Sequence, residues 1–130
     1  MPIEYSVSEG GHFIHAIASG EVTDDEFVDY EERHSADARV RAPCNELLDV
    51  HRGAFARVTP GAVERVFERR KQSKKERVCH HCAIVVSYSD SAAWDLAKLY
   101  ERLASLHSPY SVVVFGDLGI ARTWLGVGGV

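Results

Sequence analysis

The chain has no apolar run approaching the ~18 residues of a membrane-spanning helix, and its amino terminus lacks the basic-then-apolar profile of a secretory leader. Cysteine is scarce, with three residues (Cys44, Cys79 and Cys82) in 130. So small and odd a number excludes a disulfide framework, and a chain of this length buries ~65–70% of its unfolded surface without one. These absences point to a cytoplasmic protein with reduced thiols. What is present is ordinary for one soluble globular unit, 45% hydrophobic and 26% charged, so residues 1–130 read as a single domain.

Bases are short in the first part of the chain. Residues 1–50 hold three against twelve acids, whereas residues 51–130 hold twelve against seven acids, giving halves of about −9 and +5. Such polarity steers partners or favours head-to-tail contact between subunits; two solvated helix faces of opposite sign are the simpler and preferred account.

Interrupted alternation over residues 3–8 and 12–19 flanks Gly10-Gly11 and predicts an antiparallel hairpin. Thr23-x-x-Glu26 is a capping box, with Val22 and Phe27 spaced as a hydrophobic staple, so the first helix starts there and turns Phe27, Val28, Tyr30 and His34 inward. The acids Asp24, Asp25 and Glu26 suit the positive end of its dipole. Glu46 to Val50, apolar on both faces, predicts an inner strand of a parallel sheet. Thr59-Pro60 opens a second helix whose later half (Arg69, Arg70, Lys71, Lys74, Lys75, Arg77) is basic and is expected to protrude. Val78 to Tyr88 is a fourth strand, and Ala92 to Leu106 a third helix with the seam Ala92, Leu96, Leu99, Leu103, Leu106. Tyr110 to Phe115 is the fifth strand, and Asp117 caps a last helix from Leu118 to Leu125, ended by Gly126. The pattern ββαβαβαβα predicts an α/β domain with a five-stranded, mostly parallel sheet, an N-terminal antiparallel hairpin and helices packed on the sheet; it leaves the strand order open.

Gly20-x-Val22-Thr23-x-Asp25, Leu47-Leu48-Asp49 followed by Arg52-Gly53, and Val114-Phe115-x-Asp117-Leu118-x-x-Ala121-x-x-Trp124-Leu125 resemble the SpoIIAA-like proteins, small bacterial relatives of STAS domains with a fold likened to CRAL-TRIO. The resemblance spans nearly the whole chain and implies a non-catalytic binding or regulatory module. In STAS-type antagonists the loop after the aspartate-ended strand carries a phosphorylated serine. Here Val50-His51-Arg52-Gly53-Ala54 follows Asp49 and no hydroxyl residue occurs before Thr59, which argues against that switch.

The expected ligand-binding residues are Asp49, His51 and Arg52, at the carboxyl end of the central strand where parallel sheets place their crevices, together with Trp94, Tyr100 and Phe115 as walls of an apolar crevice. The occupant is a small apolar or lipid-like ligand, a protein surface, or a membrane surface met by Arg69, Arg70 and Lys71. No cofactor is expected. Nucleic acid is not expected either, because the basic stretch lacks interleaved aromatics. A homodimer is expected from the hairpin edge and the charge polarity. Two other classes compete. One is a small enzyme, using Pro2 as a tautomerase-like amine base or Asp49, His51 and Arg52 as an acid/base site. The other is a zinc-binding structural protein using Cys79 and Cys82, although strand alternation sends those two side chains to opposite faces.

Overall fold

A computed structural model describes residues 2–72, 79–107 and 111–127, with the backbone alone for residues 79 and 80. Its elements are β1 (Ile3–Ser8), a 3-10 turn (Glu9–Gly11), β2 (Phe13–Ala18), α1 (Asp24–Ser35), β3 (Cys44–Val50), α2 (Pro60–Gln72), β4 (Cys79–Val86), α3 (Ser91–His107), β5 (Ser111–Phe115) and α4 (Leu118–Leu125). The five strands form one sheet in the order β1-β2-β3-β4-β5. The β1/β2 pair is antiparallel, and the three pairs from β2 to β5 are parallel. The expected hairpin and parallel repeats are therefore present, with β3 at the centre.

Sequential strand order explains where the helices lie. Each right-handed crossover steps the same way across the sheet, so α1, α2 and α3 all land on one face, where they pack side by side. Glu46, Leu48 and Val50 of β3 and Cys82, Ile84 and Val86 of β4 point into this layer, which holds the larger core. The other face is thinner. There Ala121 and Leu125 of α4 cover Leu47, Ala83 and Val85, while Ile17 on β2 stays exposed.

Local chemistry sets the element ends. Thr23 Oγ1 accepts from Glu26 N at 3.2 Å and Glu26 Oε1 accepts from Thr23 N at 2.9 Å, with Val22 and Phe27 buried beneath them. Asp117 Oδ1 accepts from Ile120 N at 2.8 Å, and Gly126 closes α4 in the left-handed conformation. Gly11 has φ +100°, and a Cβ there would lie 2.4 Å from the Arg39 carbonyl oxygen, so the hairpin turn seats against the loop after α1 only with glycine.

The third helix corrects the seam expected from leucine spacing. Its buried stripe is Ala93, Leu96, Ala97, Tyr100 and Ala104, with Leu99 and Leu103 partly buried and Leu106 exposed. Three alanines share the buried stripe with Leu96 and Tyr100, and Leu99 and Leu103 lie at its margin.

Candidate functional site

The carboxyl ends of the parallel strands carry three linked loops. Asp49 is half-buried at the end of β3, its Oδ2 3.8 Å from the Nε2 of exposed His51; at that distance the contact is electrostatic and not a hydrogen bond. His51 N donates to Ala18 O at 2.9 Å, and Ala54 N donates to His51 O at 3.0 Å, which fixes the backbone that presents exposed Arg52. Gly53 N donates to Asp90 Oδ2 at 3.0 Å, and Asp90 also caps α3 through Ala93 N at 3.4 Å. Tyr88, 74% exposed, lies 5.1 Å from the Trp94 ring. Its ring covers Gly116, where a Cβ would approach it to 2.1 Å. The loops after β3, β4 and β5 thus interlock, and the edge presents His51, Arg52 and Tyr88.

The three aromatic walls expected for one crevice are not brought together. Trp94 packs at the margin of the core beneath α1–α3, and Tyr100 is buried within it. Phe115 points to the opposite face of the sheet, 5.5 Å from the Trp124 ring. Strand alternation is the reason, since Val112 and Val114 take the helix-covered side and leave Phe115 on the other.

The densest polar chemistry lies inside the larger core. Glu31, His34 and Glu46 are 4%, 3% and 1% exposed. His34 Nε2 is 3.3 Å from Glu31 Oε2 and 3.7 Å from Glu46 Oε2. Tyr30, wholly buried, donates its hydroxyl to Glu46 Oε2 at 2.5 Å. Burial, and then the charges of Glu46 and Glu31, push the Tyr30 phenol well above its ordinary value, so it remains a donor. Arg70 pairs with Glu31 and donates to the Tyr100 hydroxyl at 2.7 Å, which in turn donates to both Glu31 oxygens at 3.3 Å. The Arg70 guanidinium also lies 4.8 Å from the Phe67 ring centre and 5.5 Å from that of Tyr100. A cavity beside this network is bounded by Glu31, Glu46, Cys82 and Tyr100 and by apolar side chains that include Phe27 and Leu48. It has room for about one water molecule.

Sequence reasoning placed Tyr30 and His34 inward but missed Glu31, Glu46 and Arg70. Two signals were available. Glu31 stands four residues after Phe27 and three before His34, on the same helical stripe, and Glu46 alternates with Leu48 and Val50 on one strand face.

The basic second helix does not protrude over residues 60–72; it packs on α1. Arg65 reaches Asp25 at 3.4 Å, Arg69 pairs with Glu32, Lys71 reaches Glu68 at 3.7 Å, and Arg70 turns inward. The opposite charges of the two halves meet within one molecule there. Lys74, Lys75 and Arg77 lie outside the described residues. Of the proposed zinc pair, Cys82 is buried on the helix-covered face and the side chain of Cys79 lies outside the described residues. Buried Cys44 has its thiol pushed up to about 11 by burial and by the Glu46 charge. Pro2 immediately precedes the edge strand, its carbonyl accepting from Ser19 N at 2.8 Å.

No family model, no curated protein and no solved structure matches this chain. Among the described residues no helix is long and apolar enough to cross a membrane.

Proposed function

We propose that the protein is a non-catalytic binding or regulatory module, SpoIIAA-like in kind, that docks a protein partner through the carboxyl edge of its parallel strands. The observation that carries this reading is the interlocked edge, where the Gly53–Asp90 hydrogen bond and the Tyr88 ring over Gly116 hold His51, Arg52 and Tyr88 exposed on one border of the sheet. An exposed cation and an exposed aromatic ring on the same edge are the residue types enriched in interface anchors. The buried cluster of Glu31, His34, Glu46 and Arg70 is enclosed beneath helices and is not open to a substrate, which favours binding over turnover. A cavity of about one water favours a surface partner over an acyl chain held inside. The pairing of Arg65 and Arg69 with α1 carboxylates makes the membrane-contact reading weaker than docking.

Immobilised wild type compared with the double variant Arg52→Ala/Tyr88→Ala tests this, after circular dichroism and melting establish that the variant is folded. A protein retained at stoichiometric level by the wild type and lost at least about tenfold by the variant is expected, a loss of ~1.4 kcal/mol or more. Equal retention by both would remove the edge from the account. A lipid excess mass in the native spectrum of untagged protein would replace the protein partner with an apolar ligand.

A further inference from the structure

We propose that Glu31, His34 and Glu46 form a binding site for a single divalent transition-metal ion of the zinc class. The site is distinct from the Cys79/Cys82 pair and independent of the docking edge. Their donor atoms lie within 4.8 Å of one another, and the imidazole Nε2 stands 3.3 Å and 3.7 Å from the two carboxylates. An ion held tetrahedrally by bonds of ~2.0–2.2 Å needs donors roughly 3.3–3.6 Å apart; the His34–Glu31 separation of 3.3 Å falls within that range and the His34–Glu46 separation of 3.7 Å lies just beyond it. Two oxygens and one imidazole suit borderline ions such as zinc, and the order of intrinsic affinities ranks zinc above manganese.

Two further features belong to a metal centre and not to a chance cluster. The first is the surrounding hydrogen bonding, in which Tyr30 orients Glu46 while Tyr100 and Arg70 orient Glu31. Anchoring of this kind fixes the orientation of both carboxylates, as outer-shell partners do around a metal. The second is the cavity, which borders both carboxylates and has room for one water molecule. Glu31 and His34 come from one turn of α1, spaced three residues apart, and Glu46 from the central strand, so the ion would tie the helix layer to the sheet. Metal affinity and folding stability are then linked, because the site exists only in the folded chain.

The test uses chelator-treated full-length protein with zinc chloride, followed by desalting and elemental analysis, and with cobalt(II) chloride followed by absorption spectroscopy. The expected result is one equivalent of zinc, a higher melting temperature on reloading, and a cobalt spectrum without an intense thiolate charge-transfer band. Glu46→Gln should abolish stoichiometric uptake. Tyr30→Phe, which preserves the ring and removes only the orienting hydroxyl, should weaken uptake ~10–100-fold and keeps the test decisive if Glu46→Gln does not fold. Three results overturn the proposal: no stoichiometric uptake by the wild type, uptake unaffected by Tyr30→Phe, or an intense thiolate band that places the ion on cysteine.

Discussion

Two neighbouring ion pairs join α1 to α2, and they differ by a single residue step on each helix. Glu32 and Arg69 meet on the outside with side chains 53% and 50% exposed, whereas Glu31 and Arg70 meet inside at 5% and 12%. One residue turns a helix by 100°, enough to carry the same acid and base from solvent into the core. Outside, water screens the attraction, two long side chains lose freedom, and a pair contributes ~0–1 kcal/mol. Inside, both charges have lost their hydration, and removal of either partner costs ~3–5 kcal/mol because the other is left buried. Residue type is the same in the two places, so burial decides what each charge does. The outer pairs absorb bases that sequence alone offered to a membrane, and the inner pair frames the proposed ion site.

The sharpest way to break this comparison is to truncate the two arginines separately. Arg70→Leu should lose ~3–5 kcal/mol in urea unfolding, and Arg69→Leu should stay within ~1 kcal/mol of wild type; equal losses would end the distinction. Next in size is the other face of the sheet, where Leu125→Ala should cost ~2–3 kcal/mol by opening a cavity against Leu47 and Ala83. A cost near that of Arg70→Leu would show that the thin face matters as much as the thick one. Tyr100→Phe removes one hydroxyl from the inner network and should cost ~1–2 kcal/mol by the same measurement.

The smallest effect is one of pH. Burial, and then the Arg122 charge, lower the His15 pKa below its ordinary 6.5, with Asp49 opposing. A depressed histidine pKa means that the unfolded chain binds the proton more readily, so this contribution to stability is present above pH ~6.5 and is lost as pH falls toward the folded-state value. Melting of wild type and His15→Gln from pH 7.5 to 5 should show the wild type losing ground to the variant on acidification. Parallel curves would remove His15 from the pH dependence.

Elements whose signals are local were legible in the sequence. Thr23-x-x-Glu26 and Asp117 state their caps within three or four residues, and the observed α4 begins and ends where the Asp117 and Gly126 signals put it. The orientation of α3 was less legible, because leucine spacing marks an apolar side of a helix but not its most buried stripe, which holds three alanines with Leu96 and Tyr100. Least legible was the buried network. The helical stripe and strand alternation mark Glu31 and Glu46 as inward, but Glu31 meets Arg70 across 39 positions and Tyr100 across 69, partners that no local pattern records. The edge residues fall between these cases. Asp49, His51 and Arg52 could be placed at a strand end, but the lock through Asp90 and Gly116 needed the three-dimensional neighbours.

The central claim, that burial and not residue type sets the role of these charges, is tested most directly by two double-mutant cycles measured side by side. One pairs Glu31→Gln with Arg70→Leu, and the other pairs Glu32→Gln with Arg69→Leu, with each unfolding free energy taken from urea titration. The account predicts a coupling of ~2 kcal/mol or more for the inner pair and at most ~1 kcal/mol for the outer one. An inner coupling no larger than the outer would contradict it.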